Sequence, residues 1–181
     1  MCLFLILSLL FPVAADEPPA LKQFNERVKA YAELHKKIDS KIDPVDATSS
    51  PELLVKQKQQ FITALQKARA NARQGHIFNR GVRPIFLKIL KRELKGPTNT
   101  EPRAMVLGEG NPKAKDSPKA PPLKVNGTYP TESPVSTMPP SVLLALPQLP
   151  EALEYRFIGR HLILRDTKAD IIVDFIMNAA P

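Results

Sequence analysis

The chain has a single cysteine, no tryptophan, only seven glycines and 6 % aromatic residues. One thiol, Cys2, excludes an internal disulfide framework and any thiolate cluster for a metal. Scarce glycine goes with the absence of a Gly-rich phosphate loop; no Walker-type lysine and no Gly-x-Ser-x-Gly elbow occurs either. Few aromatics leave no platform on which successive bases could stack. Long apolar runs are missing too. The one at the start, Leu3 to Phe11, falls short of the roughly 18 residues that span a bilayer.

That opening run is followed by Pro12, then Val13-Ala14-Ala15, then Asp16-Glu17. A short apolar core ending in small residues is the pattern of a secretory signal, with cleavage expected after Ala15. No lysine or arginine precedes the run, which departs from the usual pattern. The expectation is an exported, periplasmic or extracellular protein. Cys2 then falls within the removed segment, so the mature chain has no thiol.

Nineteen prolines are present, and most fall between Pro97 and Pro150. Proline density of that kind disfavours regular helix and central strand, so residues 96–139 are expected to be loop or linker. Met105-Val106-Leu107 is its one apolar patch, and Pro112 to Pro122 is close to low complexity. The regions on either side must supply the core. Residues 16–95 read as helical, and 140–181 as a short helix followed by strands. Together 16–181 is expected to form one domain.

In the helical region, Leu21, Phe24, Val28, Tyr31, Ile38 and Ile42 follow the 3–4 spacing of one apolar stripe, with His35 in the same row. Pro19 suits the first turn of that helix. Ser49-Ser50-Pro51-Glu52 has capping-box spacing and predicts a second helix start. That helix carries Leu54, Phe61, Leu65, Ala68 and Ala72 on one face and is expected to end at Gly75. Two amphipathic helices on a short link predict an antiparallel hairpin. A third helix is expected from about Arg80 or Val82 to Leu94.

Pro150 to Ile176 holds the densest β-branched and aromatic run. Glu154–Ile158, His161–Arg165 and Asp170–Ile176 read as three strands, joined by Gly159-Arg160 and by Asp166 to Ala169. Three strands are marginal alone, so they must pack on the helices. Alternation puts Ile171, Val173 and Phe175 on the packed face and Asp174 at the rim. The fold class is α+β, mainly α: a helical hairpin plus a third helix, a Pro-rich loop, and a terminal antiparallel meander.

The stretch LPQLPEALEYRFIGRHLILRDTKADIIVDFI, with Ala72 to Phe78, Val125 to Pro130 and Ser136 to Pro140, resembles a group of exported bacterial proteins. The likeness covers about half of the chain. It implies a signal peptide, a helical N-terminal half and this closing segment. No activity and no site residue is assigned to that group, so none carries over.

The candidates for chemistry are sparse. His35, His76 and His161 fall on different elements, without a partner at metal-ligand spacing. Asp166, Asp170 and Asp174 would align on a helix, but strands and turns disperse them, and Asp166 suits a turn. Neither metal nor cofactor is expected. Asn126-Gly127-Thr128 fits the glycosylation triplet, which arises often by chance. Charge is the one asymmetry. The net charge is +8, and from Lys56 to Lys95 eleven basic residues face Glu93 alone, a local balance of +10. Arg69, Arg73, Arg80, Arg83, Lys88 and Arg92 are the candidate anion-binding residues. They would meet anionic lipid, an envelope polymer or an acidic protein; export argues against nucleic acid. The plain alternative is a solvated basic face that keeps the protein soluble. A reading from another class is a hydrolase-like enzyme without a recognisable motif. A cleft gathering carboxylates and His161 would favour it.

Overall fold

The computed structural model describes residues 17–46, 50–95, 100–109, 122–130 and 138–181. The expected signal segment 1–15, Ser49 of the expected capping box and Pro112 to Pro121 of the low-complexity stretch lie outside them. Five helices precede one sheet: α1 (Pro19–Asp39), α2 (Pro51–Ala68), α3 (Arg83–Lys95), α4 (Thr100–Glu109) and α5 (Pro140–Ala145). The strands β1 (Leu153–Ile158), β2 (His161–Asp166) and β3 (Ile171–Ile176) form an antiparallel sheet in the order β1-β2-β3. No helix among the described residues is long and apolar enough to cross a membrane.

Local chemistry accounts for the ends of these elements. Pro19 is the first residue of α1 and Pro51 of α2, positions where the missing N–H costs nothing. Gly159 takes φ 54° in the β1–β2 turn, and Asp170 takes φ 51° just before β3. The hairpin of α1 and α2 puts His35 edge-on to Phe61, with centroids 4.8 Å apart. Phe24, Phe78 and Phe86 pack together with centroids 5.0–5.7 Å apart, and Phe86 reaches Tyr155 of β1 at 6.0 Å. This aromatic node joins α1, α3 and the sheet. Burying each of its rings contributes roughly 1.5–3 kcal/mol.

Three expectations need correction. Helix α2 ends at Ala68, not Gly75, because Arg69 leaves helical geometry and residues 70–78 wrap towards β3. The Pro-rich segment contains α4, since Pro102 sits in its first turn and no proline follows before Pro112. Val106 of that helix is fully buried in the core. Residues 122–130, expected as linker, dock on the sheet. Asn126 N–H donates to the Ile172 carbonyl, Ile172 N–H to Gly127, and Tyr129 N–H to Asp170, at 2.7–2.9 Å. Tyr129, with Leu123 and Val125 packed nearby, closes the second face of the sheet over Ile158, Ile163, Ile172 and Phe175.

The sheet carries the largest departure. Leu164 pairs with Asp174 but Arg165 pairs with Ile172, so Val173 is an extra residue in β3. This β-bulge slips the alternation by one position. Ile171, Val173 and Ile176 join the helix-facing core, and Phe175 turns to the opposite face. Asp174 is therefore not at the rim: it is wholly buried.

Candidate functional site

Two carboxylates, Asp166 and Asp174, and one guanidinium, Arg69, are buried where the sheet meets the segments packed on it. Asp174 Oδ2 accepts from the Ile77 and Phe78 N–H groups at 2.7 and 2.8 Å. Its Oδ1 accepts from Gly75 and Phe175 at 2.9 and 2.8 Å. Gly75 can present its N–H this way because it adopts φ 82°, which costs other residues strain. Asp166, also fully buried, accepts from Tyr31 Oη at 2.7 Å and from the Lys168 and Ala169 amides of its own turn. His35 Nε2 lies 3.4 Å from the same carboxylate. Burial pushes the Asp166 carboxyl up. Contacts with His35, Ala169 and Tyr31 outweigh that and hold it below its ordinary value. Burial, and then Asp166, push the Tyr31 phenol far up.

Arg69 is the surprise among the candidate anion-binding residues. It is only 9 % exposed. Its Nε donates to Asn126 Oδ1 at 2.9 Å and its Nη2 to the Val173 carbonyl, the bulge residue, at 2.8 Å. Its guanidinium lies 4.6 Å from the centre of the Tyr31 ring. Burial draws its pKa down, against the pull of Tyr31, Asp174 and Asp166. It is an internal cross-brace, not part of an open face. Asn126 returns the bond, donating to the Arg69 carbonyl at 2.7 Å, and accepts from Gln66 at its own carbonyl. In the sequence Asn126 stands out only as part of a glycosylation triplet, although an Asn-Gly pair is the usual signal for a residue at positive φ. Asn126 has φ 63°. At Gly127 an added Cβ would stand 2.9 Å from the Lys124 carbonyl oxygen, so glycine is required there.

The other candidates lie outside. Arg73, Arg80, Arg83, Lys88 and Arg92 are all exposed, as are Lys91 and Lys95. Lys88, Lys91, Arg92 and Lys95 follow i, i+3, i+4, i+7 spacing and line one shallow depression of α3. Arg92 pairs with Glu93 at 2.7 Å, while Lys88, Lys91 and Lys95 have no ion-pair partner among the described residues. Elsewhere in this basic stretch, Lys58 reaches from α2 to Asp170.

The three carboxylates and His161 each serve a separate contact. Asp166 serves the hairpin contact, Asp174 the 75–78 amides, and Asp170 pairs with Arg165 and Lys58. His161 Nδ1 accepts from the Asn178 N–H at 2.9 Å. A cavity of about 290 Å³ beside the seam is lined by Arg27, Tyr31, Arg69 and His76, among others. Arg27 donates to the His76 carbonyl there, so these groups serve the fold. Among the described residues no group of three or more His, Cys, Asp or Glu side chains could hold a metal. Comparisons with protein-family models, with curated proteins and with solved structures gave no match.

Proposed function

We propose that this is an exported, non-catalytic protein that attaches to a surface of anionic lipid through the outer face of α3. The supporting observation is the row Lys88, Lys91, Arg92 and Lys95, exposed along one side of a single helix. Arg80 and Arg83 extend the positive field at the start of that helix, and Arg73 adds to it from the preceding loop. Each cation near an anionic surface contributes on the order of 1 kcal/mol, so this row suffices for attachment that salt weakens. Helix-dipole stabilisation accounts for Arg92 and Lys95 in the last turn, but it reaches no further than that turn and leaves Lys88 unexplained.

Co-sedimentation with neutral and with anionic vesicles, at low and physiological salt, tests the reading. The expected result is binding to the anionic vesicles alone, reduced by salt. Replacing Lys88, Lys91 and Lys95 together by glutamate should abolish it while circular dichroism shows the chain still folded. Binding that ignores salt or survives the triple replacement rejects this face. Absence of vesicle binding would point to an acidic polymer or protein instead.

A further inference from the structure

The two edges of the sheet are treated differently. Residues 126–129 hydrogen-bond along the outer edge of β3, and Thr128 bridges Ile171. Among the described residues nothing pairs with the outer edge of β1. Unpaired strand edges recruit other strands, and proteins normally cover or blunt them. Here the edge instead forms one side of an apolar groove of about 580 Å³. Leu143, Leu146, Leu149 and Leu153 are among its lining residues, and Glu154 and Arg156 lie along the strand. Beside it, Leu144 is 87 % exposed and Leu143 52 %, a projecting apolar pair on the six-residue helix α5.

We propose that β1 is the interface for a second copy of this chain, the two β1 strands pairing antiparallel about a two-fold axis at Tyr155. The charge pattern favours this occupant. Glu154 and Arg156 lie on the same face of the strand, two residues apart, and are 25 % and 35 % exposed. In an antiparallel pair centred on Tyr155, Glu154 of each copy falls directly opposite Arg156 of the other, which satisfies an isologous interface. Glu154 already bonds Arg156 within its own chain at 2.8 Å, so the cross-strand pairs exchange with contacts that exist in the free chain. Val142 and Leu146 hold α5 against the helix-facing core, with Leu153 and Tyr155 of β1 in the same cluster. Pairing therefore brings both α5 helices to one side of a joined six-stranded sheet. There Leu143 and Leu144 are the apolar surface left to cover. This inference is independent of the basic face.

Sedimentation velocity of the purified chain over about two decades of concentration tests it, because mass action must shift a dimer. The expected result is a concentration-dependent monomer–dimer equilibrium. Leu144→Asp removes no buried contact and should weaken it about a hundredfold; Glu154→Lys and Arg156→Glu should each do the same by placing like charges opposite one another. A one-to-one mixture of those two charge variants should associate again. The introduced lysine of one variant then faces the introduced glutamate of the other, and the native Arg156 of the first faces the native Glu154 of the second. Circular dichroism of each variant checks that it is folded. A wild-type chain that stays monomeric throughout overturns the proposal. So does a dimer indifferent to Leu144→Asp, or folded charge variants that fail to associate when mixed.

Discussion

Arg69 and Arg73 stand four residues apart with the same charge, yet one braces the interior and the other faces water. The contrast extends to the regions around them. The seam between the hairpin and β3 holds Arg69, Asp166 and Asp174 in fixed, nearly dry hydrogen bonds. The outer face of α3 holds Lys88, Lys91 and Lys95 without ion-pair partners among the described residues. Charges in the seam carry fold energy, because removing one strands its partners away from water. Charges on α3 carry almost none, because water already solvates them. A count of cations along the sequence merges these two populations; burial separates them.

The sharpest test of that division is Asp174→Ala. It strips the acceptor from the Gly75, Ile77 and Phe78 amides and removes one of the two carboxylates that offset the charge of Arg69. The expected loss is about 3–5 kcal/mol, read as a lower urea midpoint at unchanged slope. A loss under about 1 kcal/mol would mean that water reaches those amides and that the seam is not dry. Next comes the pair that opened the comparison. Arg69→Met should lower stability by about 2–4 kcal/mol, because Val173 and Asn126 lose a charged donor. Arg73→Met should stay within about 0.5 kcal/mol. Equal effects at the two sites would erase the distinction. Arg69→Met combined with Asn126→Ala should cost less than the sum of the two, since both cut the same bonds.

The three strands, their turns and the apolar stripes of α1 and α3 were legible because each rests on a local rule. Gly159 marks a turn, Asp166 accepts from the Lys168 and Ala169 amides of its own turn, and Phe24, Val28, Tyr31 and Ile38 recur at helical spacing. The bulge was not legible. Ile171-Ile172-Val173 is β-branched throughout and reads equally well in either phase, so nothing local says where the alternation slips. Only the meeting of Asp174 with amides almost a hundred residues earlier decides it. Arg69 failed for the same reason: its partners lie on β3 and in the 122–130 segment. Helix α4 was hidden by averaging proline over a window wider than the helix. Lys88, Lys91 and Lys95 could be seen as charge, but their exposure along one side of a helix could not.

A smaller loss than at Asp174 or Arg69 tests whether Asp166 belongs to the seam in its ionised form. Its folded-state carboxyl titrates below the ordinary value, whereas the unfolded chain should titrate near about 3.9. Between those two values the unfolded state binds more protons, so stability rises with pH there. The contribution of Asp166 is thus complete above the unfolded value and lost as pH falls through the folded one. Asp166→Asn should lower stability by about 1–2 kcal/mol at neutral pH, because Tyr31 and His35 then face an uncharged group. The gap between wild type and variant should hold steady down to about pH 5 and narrow below it. Glu154 and Asp170 are also held low, by Arg156 and Arg165 and by Lys58 and Arg165 respectively, after burial has pushed each up. They are present in both proteins and cancel in the difference. A gap that stays constant to about pH 2 would show that Asp166 is bonded as well when protonated, and would move it from the charged seam to the neutral core.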